Sequence, residues 1–254
     1  MQYIPKNEFN NDQYISIDMI PTYREFAYHH FKKYTVMLDS FHIIKNINDA
    51  LNKIRCKVMN RYKDNKKSDE YYLLKYKHHL LFMDSLKISD NHIKYNHHFK
   101  YKLSQNALLE KILNIDNELK YAYELKEMYI IFNDLHEDDN KIREHLEIII
   151  STYQLSHIPL FVELGNTLSN WKEEIINSFH TYKDRRINNG PIEGRNKYLK
   201  IILELANGYK NFQRYRNRVL YVFNKLEKPL EKPTDAKKIK LTGKIRGKYK
   251  TKNK

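Results

Sequence analysis

Cysteine is nearly missing: the 254 residues hold one, Cys56. That excludes an internal disulfide framework and a cysteine-based zinc site, and it fits a reducing, cytoplasmic setting. Glycine and proline are scarce, six of each, where average usage gives roughly 18 and 13 in a chain this long. A sandwich or barrel needs a turn about every 8–12 residues, so the bulk of the chain is expected to be helical. No apolar run approaches the ~20 residues of a membrane span. The opening MQYIPKNEFNND has no signal-peptide pattern. Acid is in short supply, 31 Asp+Glu against 46 Lys+Arg, a net charge of +15. What is present is core material. Hydrophobic residues make up 41%, enough to exclude wholesale disorder.

The positive excess is uneven. Residues 237–254 carry nine Lys/Arg and no acid, which leaves 37 − 31 = +6 for the rest. This stretch follows Pro229 and Pro233 and has no apolar periodicity, so it reads as a disordered basic arm. Such an arm binds phosphate in a sequence-blind, salt-dependent way, or it is a solubilising end. A second basic stretch, 181–220, has ten Lys/Arg and three acids, interleaved with Tyr182, Tyr198, Tyr209, Phe212 and Tyr215. Cations mixed with rings suit nucleic acid. An amphipathic helix pair with a solvated face gives the same composition.

Tyr14-Ile15-Ser16-Ile17 and Tyr34-Thr35-Val36-Met37-Leu38 are rich in β-formers, and each runs into an acid, Asp18 and Asp39. Pro21 can open a helix between them. Strand, helix, strand is a βαβ unit with parallel strands, so both acids fall at carboxyl strand ends, the edge where open α/β sheets build their sites. From about 43 to 180 helical periodicity dominates: Ile44, Ile47, Leu51, Ile54 and Val58, then Leu108 to Phe132 as one or two helices, then Ile142 to Tyr153. Segment 86–106 is polar and histidine-rich, and no firm element is placed there. Asn188-Asn189-Gly190-Pro191 is a turn that starts a helix. Tyr198, Ile201, Ile202 and Leu205 form its expected buried stripe, and Gly208 is its expected C-terminal cap. A last helix is expected over about 211–225.

Three acids thus lie at element ends: Asp18, Asp39 and Glu193. Carboxylates at a parallel sheet end, facing a helix that carries Glu, can hold hard divalent cations through oxygen. Two such ions can activate an attacking oxygen and stabilise a leaving one on a phosphodiester. Equally, an Asp after a strand serves as a cap or turn residue, and Glu in a first helical turn is favoured by the helix dipole. Arg185 and Arg186, just before the turn, are candidate phosphate contacts. Their other reading is a solvated basic turn.

The segment ISIDMIPTYREFAYHHFKKYTVMLDSFHIIKNINDALNKIR, residues 15–55, resembles the middle of bacterial DDE transposases of the ISL-three insertion-sequence group. The segment NNGPIEGRNKYLKIILELANGYKNFQRYRNR, residues 188–218, resembles their carboxyl-terminal motif. The resemblance covers about residues 10–225. It implies a ribonuclease H-like core with two Asp and one Glu. Asp18 in ISIDM matches the second Asp, Asp39-Ser40-Phe41-His42 matches a D/C-x-x-H motif, and Glu193 in GPIEGRN matches the final Glu. On this basis Asp18 and Glu193 are the expected catalytic and metal-binding residues, with Asp39 and His42 in support, and Arg185, Arg186, Arg195, Lys197 and Lys200 as DNA contacts. The implied cofactor is Mg²⁺ or Mn²⁺, two ions in intact relatives and not fully bound here. The implied partner is DNA at transposon ends.

Two features depart from the family pattern. The first catalytic Asp of relatives lies well upstream of the IDM strand, and only seventeen residues precede Asp18. The usual Lys-Arg pair and aromatic after the Glu helix are Leu203-Glu204 and Asn207 here. The expectation is therefore a mainly α chain with a small parallel α/β part: a truncated ribonuclease H-like fold with a large helical insertion. Its expected parts are a partial sheet over 1–42, a helical insertion over 43–180, closing helices over 181–228 and a disordered basic tail over 229–254. A carboxyl-terminal transposase fragment, inactive alone, is the leading reading, with an upstream-encoded half as partner, a homo-oligomer as an open option and a nucleoid-associated cytoplasmic location. The alternative is a non-catalytic basic helical nucleic-acid-binding protein, or a transposon remnant without function.

Overall fold

Two stretches rich in β-formers pair as parallel strands, β1 (Tyr14–Ile17) and β2 (Thr35–Leu38), with Tyr14 opposite Thr35 and Ile17 opposite Leu38. Helix α1 (Pro21–His30) connects them, with Pro21 in its first turn, where the missing N–H costs nothing. The βαβ unit of the sequence reading is present. The computed structural model describes residues 14–91, 93–182 and 185–226. The expected basic tail, 229–254, lies outside the described residues, as do residues 1–13 of the expected partial sheet.

The chain divides into two compact units, residues 1–191 and 192–254. In the first, α2 (Ser40–Asn60) buries Ile43, Ile47, Leu51, Ile54 and Val58, one stripe at 3.6-residue spacing, and α5 (Asn117–Asn133) packs along it. Between them in sequence come α3 (Asp69–Tyr76), two 3-10 turns (His78–Leu81 and Ser85–Lys87), strands β3 (Lys94–Asn96) and β4 (Tyr101–Leu103), and α4 (Gln105–Leu113). The helices start on side-chain caps: Asp39, Ser68, Ser104, Asp116 and Asp138 each accept a backbone N–H of the first turn.

After α5 follow α6 (Asp139–Gln154), α7 (Pro159–Asn170) and α8 (Lys172–Asn177). Helices α6 and α7 approach closely at Gly165, where an added Cβ would stand 2.9 Å from Gln154 Cγ and 3.0 Å from Tyr153 Cβ. Helix α8 lies against β2, and Asn177 Nδ2 donates to the Val36 carbonyl at 2.8 Å. One hydrophobic core runs from Ile17 to Ile176, so the sheet and the helices share an interior. Trp171 is buried in it, with the Arg24 guanidinium 4.9 Å over its ring.

Segment 86–106 differs from the sequence reading. It forms an antiparallel hairpin, with Lys94 opposite Leu103 and Asn96 opposite Tyr101. Its loop is organised by one side chain: Asn96 Oδ1 accepts from the N–H groups of His98 (3.0 Å) and Phe99 (3.3 Å) and from the Tyr72 hydroxyl (3.2 Å). A short two-residue pairing of β5 (Thr181–Tyr182) with β6 (Arg185–Arg186) precedes the next helix.

That helix, α9 (Gly190–Leu205), and α10 (Phe212–Leu226) are the described helices of the second unit. The expected buried stripe of α9 is mostly open: Ile202 is buried, but Tyr198 and Leu205 are 53% and 82% exposed. Among the described residues of this unit only α10 faces the stripe, and the two helices enclose a shallow apolar hollow. The C-terminus of α9 also differs in detail. Asn207, with φ 50°, takes the left-handed position and Gly208, with φ 89°, follows it. Their N–H groups bond to the carbonyls of Glu204 (3.0 Å) and Leu203 (2.9 Å), a Schellman arrangement. Among the described residues no helix is long and apolar enough to cross a membrane.

Candidate functional site

The parallel pairing sets where the two acids stand. The Asp39 N–H donates to the Ile17 carbonyl at 3.0 Å, which carries the ladder one residue past β2. Asp18 follows β1 and turns at once, because the Ile20 N–H donates back to the Asp18 carbonyl at 2.7 Å. Both carboxylates therefore emerge at the carboxyl end of the small sheet, as expected from the sequence.

Their surroundings differ. Asp39 is buried and its oxygens are taken up by backbone: Oδ1 accepts the Phe41 N–H at 3.0 Å, capping α2, and Oδ2 accepts the Asn189 N–H at 3.1 Å. Asp18 is about one-third exposed, and His42 slightly less. Asp18 Oδ1 accepts from Asn189 Nδ2 at 2.7 Å and lies 3.1 Å from His42 Nε2. His42 stands in the first turn of α2, so Asp39, by capping that helix, also fixes the histidine beside Asp18. The result is an oriented carboxylate, held on one oxygen and open to solvent, able to contribute to a cation site.

Asn189 is the member that sequence reasoning missed. It reads locally as a turn residue. The signal that was present is the doubled asparagine: Asn188 Oδ1 already makes the turn by accepting the Gly190 N–H at 2.9 Å, which leaves Asn189 free for another task.

Arg186 corrects an expectation. Its Nε donates to the Ser178 carbonyl at 3.1 Å and its Nη1 to the Asn133 carbonyl at 2.6 Å, and its guanidinium lies 3.9 Å over the Phe179 ring. Burial pushes its pKa downward. The group is a peg between the ends of α5 and α8, with its planar fork turned inward, and is not placed to receive a phosphate. For Arg185 the structure describes only the backbone, in β6. Glu193 falls in the second unit, in the first turn of α9, and is exposed there together with Arg195, Lys197 and Lys200.

A metal pair needs more than this cluster offers among the described residues. Mg²⁺ takes near-octahedral oxygen ligation, commonly through one or two carboxylates plus substrate oxygens. Here Asp39 is spent on backbone N–H groups, and Asp18 is the one acid of the cluster left open. Among the described residues no group of three or more His, Cys, Asp or Glu is arranged to hold a metal ion. The ligand set of a two-ion site is thus not assembled by this cluster.

A partly exposed carboxylate at the end of a parallel βαβ unit, braced by histidine and asparagine and backed by a large helical body, defines an α-rich protein with a polar sheet-edge site. The chain belongs to the DDE transposases of the ISL3 group: the family model, described as Transposase, matches residues 2–219. That family generally uses divalent metal ions and acts on DNA. No curated protein and no solved structure matches the chain.

Proposed function

We propose that the chain supplies the carboxyl-terminal part of a ribonuclease H-like transposase site that cuts and joins DNA by phosphoryl transfer. Asp18 and Glu193 would be the metal-facing carboxylates. Asp39, His42 and Asn189 are positioning residues: Asp39 caps α2, and the other two hold Asp18 Oδ1. Arg195, Lys197 and Lys200 would meet DNA phosphate from the exposed face of α9. A bound divalent ion would stabilise charge on the transferring phosphate. The chain's own part is to keep the Asp18 carboxylate oriented and reachable.

The observation that carries this reading is Asp18 Oδ1, bound by Asn189 and in contact with His42 at the strand ends, in a chain of the transposase family. Among the described residues the cluster holds one open carboxylate, and an upstream-encoded half is the proposed source of a third acid. An apolar hollow of about 570 Å³ beside β1, lined by Ile15, Ile17, Tyr23 and Phe26 among others, suits further strands from such a half. The alternative, a nucleic-acid-binding protein or remnant without catalysis, predicts binding and no cleavage.

The test is co-expression with an upstream-encoded half, then incubation with terminal-repeat DNA and Mg²⁺ or Mn²⁺. Metal-dependent nicking is expected for the pair, lost in Asp18→Asn and Glu193→Gln, with none from the isolated chain. Cleavage that survives both substitutions would sink the assignment.

A further inference from the structure

A second concave site lies in the helical body, away from the carboxylates. It is a cavity of about 310 Å³ between the end of α3, the 3-10 turn at His78–Leu81, the β3–β4 hairpin and the start of α4. Small-ligand sites span about 300–1,000 Å³, so this one takes a single ring system, and a stacked duplex cannot enter it. Arg55 of α2, whose Nη1 donates to the Leu74 carbonyl in α3 at 2.7 Å, is sixteen residues along from Asp39. At 1.5 Å per residue that places α3 roughly 24 Å along the helix from the sheet-edge site.

The lining has three parts. The floor is apolar: Leu80, Leu103 and Leu108. Tyr72 and Tyr95 supply aromatic walls, and Gln105 and Asn96 bring amides. Lys77, Lys94 and His97 supply the cations and donors, and among the described residues no acid lines the cavity. Burial, with Lys77 and His78 adding to it, lowers the pKa of His79 in the wall. Flat rings for a base, amides for its edge and cations for its phosphate form one consistent set.

The walls are built and held. Tyr72 stacks on His98 with ring centroids 4.0 Å apart and an interplanar angle of 3°. His98 Nε2 lies 2.8 Å from Asp69 Oδ1, and the Tyr72 hydroxyl is fixed on Asn96. The hairpin tip adds an independent sign. Lys100 has φ 64°, a left-handed conformation that costs a side-chain-bearing residue roughly 1–2 kcal/mol and glycine nothing. The chain keeps an exposed lysine at that position. With Lys94 and Lys102 it gives β3, β4 and their loop three lysines and no acid across 94–103.

We infer that this cavity binds an unpaired nucleotide of a DNA strand, its base between Tyr95 and the Tyr72 wall and its phosphate on Lys77 and Lys94. This rests on the proposed action on DNA and names a further contact that action would use. The exposed positions Lys94, Tyr95 and His97 carry the recognition, so they can be changed without touching the core.

The test uses the full chain, an eight-nucleotide single strand carrying one 5-iododeoxyuridine, and excess unlabelled duplex to saturate sequence-blind basic surfaces. Irradiation should join the strand to the peptide that contains Tyr95 and His97. Tyr95→Ala should weaken single-strand binding about fivefold or more and Tyr95→Phe less than about twofold, as expected for loss and retention of one stacked base. Duplex binding should be unchanged in both. Cross-links confined to residues outside 72–108, or equal affinity of Tyr95→Ala and the wild type, would overturn the inference while leaving the transposase reading intact. Free dTMP competing as well as the octamer would overturn the assignment to a strand. Failure of terminal-repeat duplex to bind at all would count against the proposed function, whatever the cavity does.

Discussion

Asn189 touches both acids of the sheet edge, through its side chain to Asp18 and its peptide N–H to Asp39. The two bonds have different mutational fates, because only the side chain can be removed. A hydrogen bond to a charged partner contributes about 1.5–3 kcal/mol when buried. Asp18 is partly exposed, so Asn189→Ala should cost about 1 kcal/mol. Asn189→Asp should cost more, because it keeps the size, removes the donor and sets a second carboxylate against Asp18 Oδ1. Urea unfolding of the three proteins at neutral pH reads this directly. If the Asp variant is as stable as the Ala variant, the Asn189–Asp18 contact is not the one that holds the turn. Histidine 42 belongs to the same scale. Its place beside Asp18 follows from the cap at Asp39 three residues earlier, so the D-x-x-H spacing is a capping geometry as well as a motif.

Helix α8 is clamped to α1 by a buried carboxylate. Glu174 has no exposed surface, its Oε1 lies 2.6 Å from Arg24 Nε, and it accepts the Tyr28 hydroxyl at 2.8 Å. Burial, then the Glu174 hydrogen bond and charge, push the Tyr28 phenol from 10.0 to about 12. A phenol raised on folding adds stability that is fully present below pH about 10 and is lost as pH rises through about 12. The stability gap between the wild type and Tyr28→Phe should therefore be constant up to pH 10 and close between about 10 and 12. A gap that stays flat to pH 12 would mean that the phenol does not clamp α1 to α8. At this scale the sequence was legible wherever structure is local. Tyr14–Ile17 and Tyr34–Leu38 are runs of β-formers, and Ile44, Ile47, Leu51, Ile54 and Val58 are periodic, so strand, helix and parallel pairing follow from pattern alone, although the stripe's first buried residue is Ile43 and Ile44 is half-buried. The β3–β4 hairpin was not legible, because it lacks clean alternation and depends on Asn96 bonding across to Tyr72. Arg186 failed for the same reason in reverse. Its basic neighbourhood looked solvated, but carbonyls at Ser178 and Asn133 and the ring of Phe179 enclose it, and none of these is near it in an extended chain. Asn189 is the extreme case, with its value resting on a partner 171 positions away.

For the whole molecule, the net charge of +15 divides into two parts with different physics. Nine Lys/Arg fall within 237–254, while the remaining 236 residues carry +6. Binding through the first part is sequence-blind, and its strength follows counterion release: log K falls with log salt at about 0.9 per neutralised phosphate on B-DNA. Binding through rings and amides, as proposed for the hairpin cavity, depends less on salt, because stacking releases no counterions. Removing 237–254 should therefore flatten the salt slope for duplex DNA by up to about 8, the limit set by nine charges. Affinity should fall steeply at low salt and little at high salt. Binding of the iodouridine octamer in the presence of excess duplex should change much less. Anisotropy titrations between 50 and 300 mM salt separate the outcomes. A slope unchanged by the deletion would mean that the duplex is held by the body of the protein, with the exposed cations of α9 as the first residues to test. An octamer signal that disappears with the tail would instead trace the single-strand contact to the tail and remove the cavity from the DNA path.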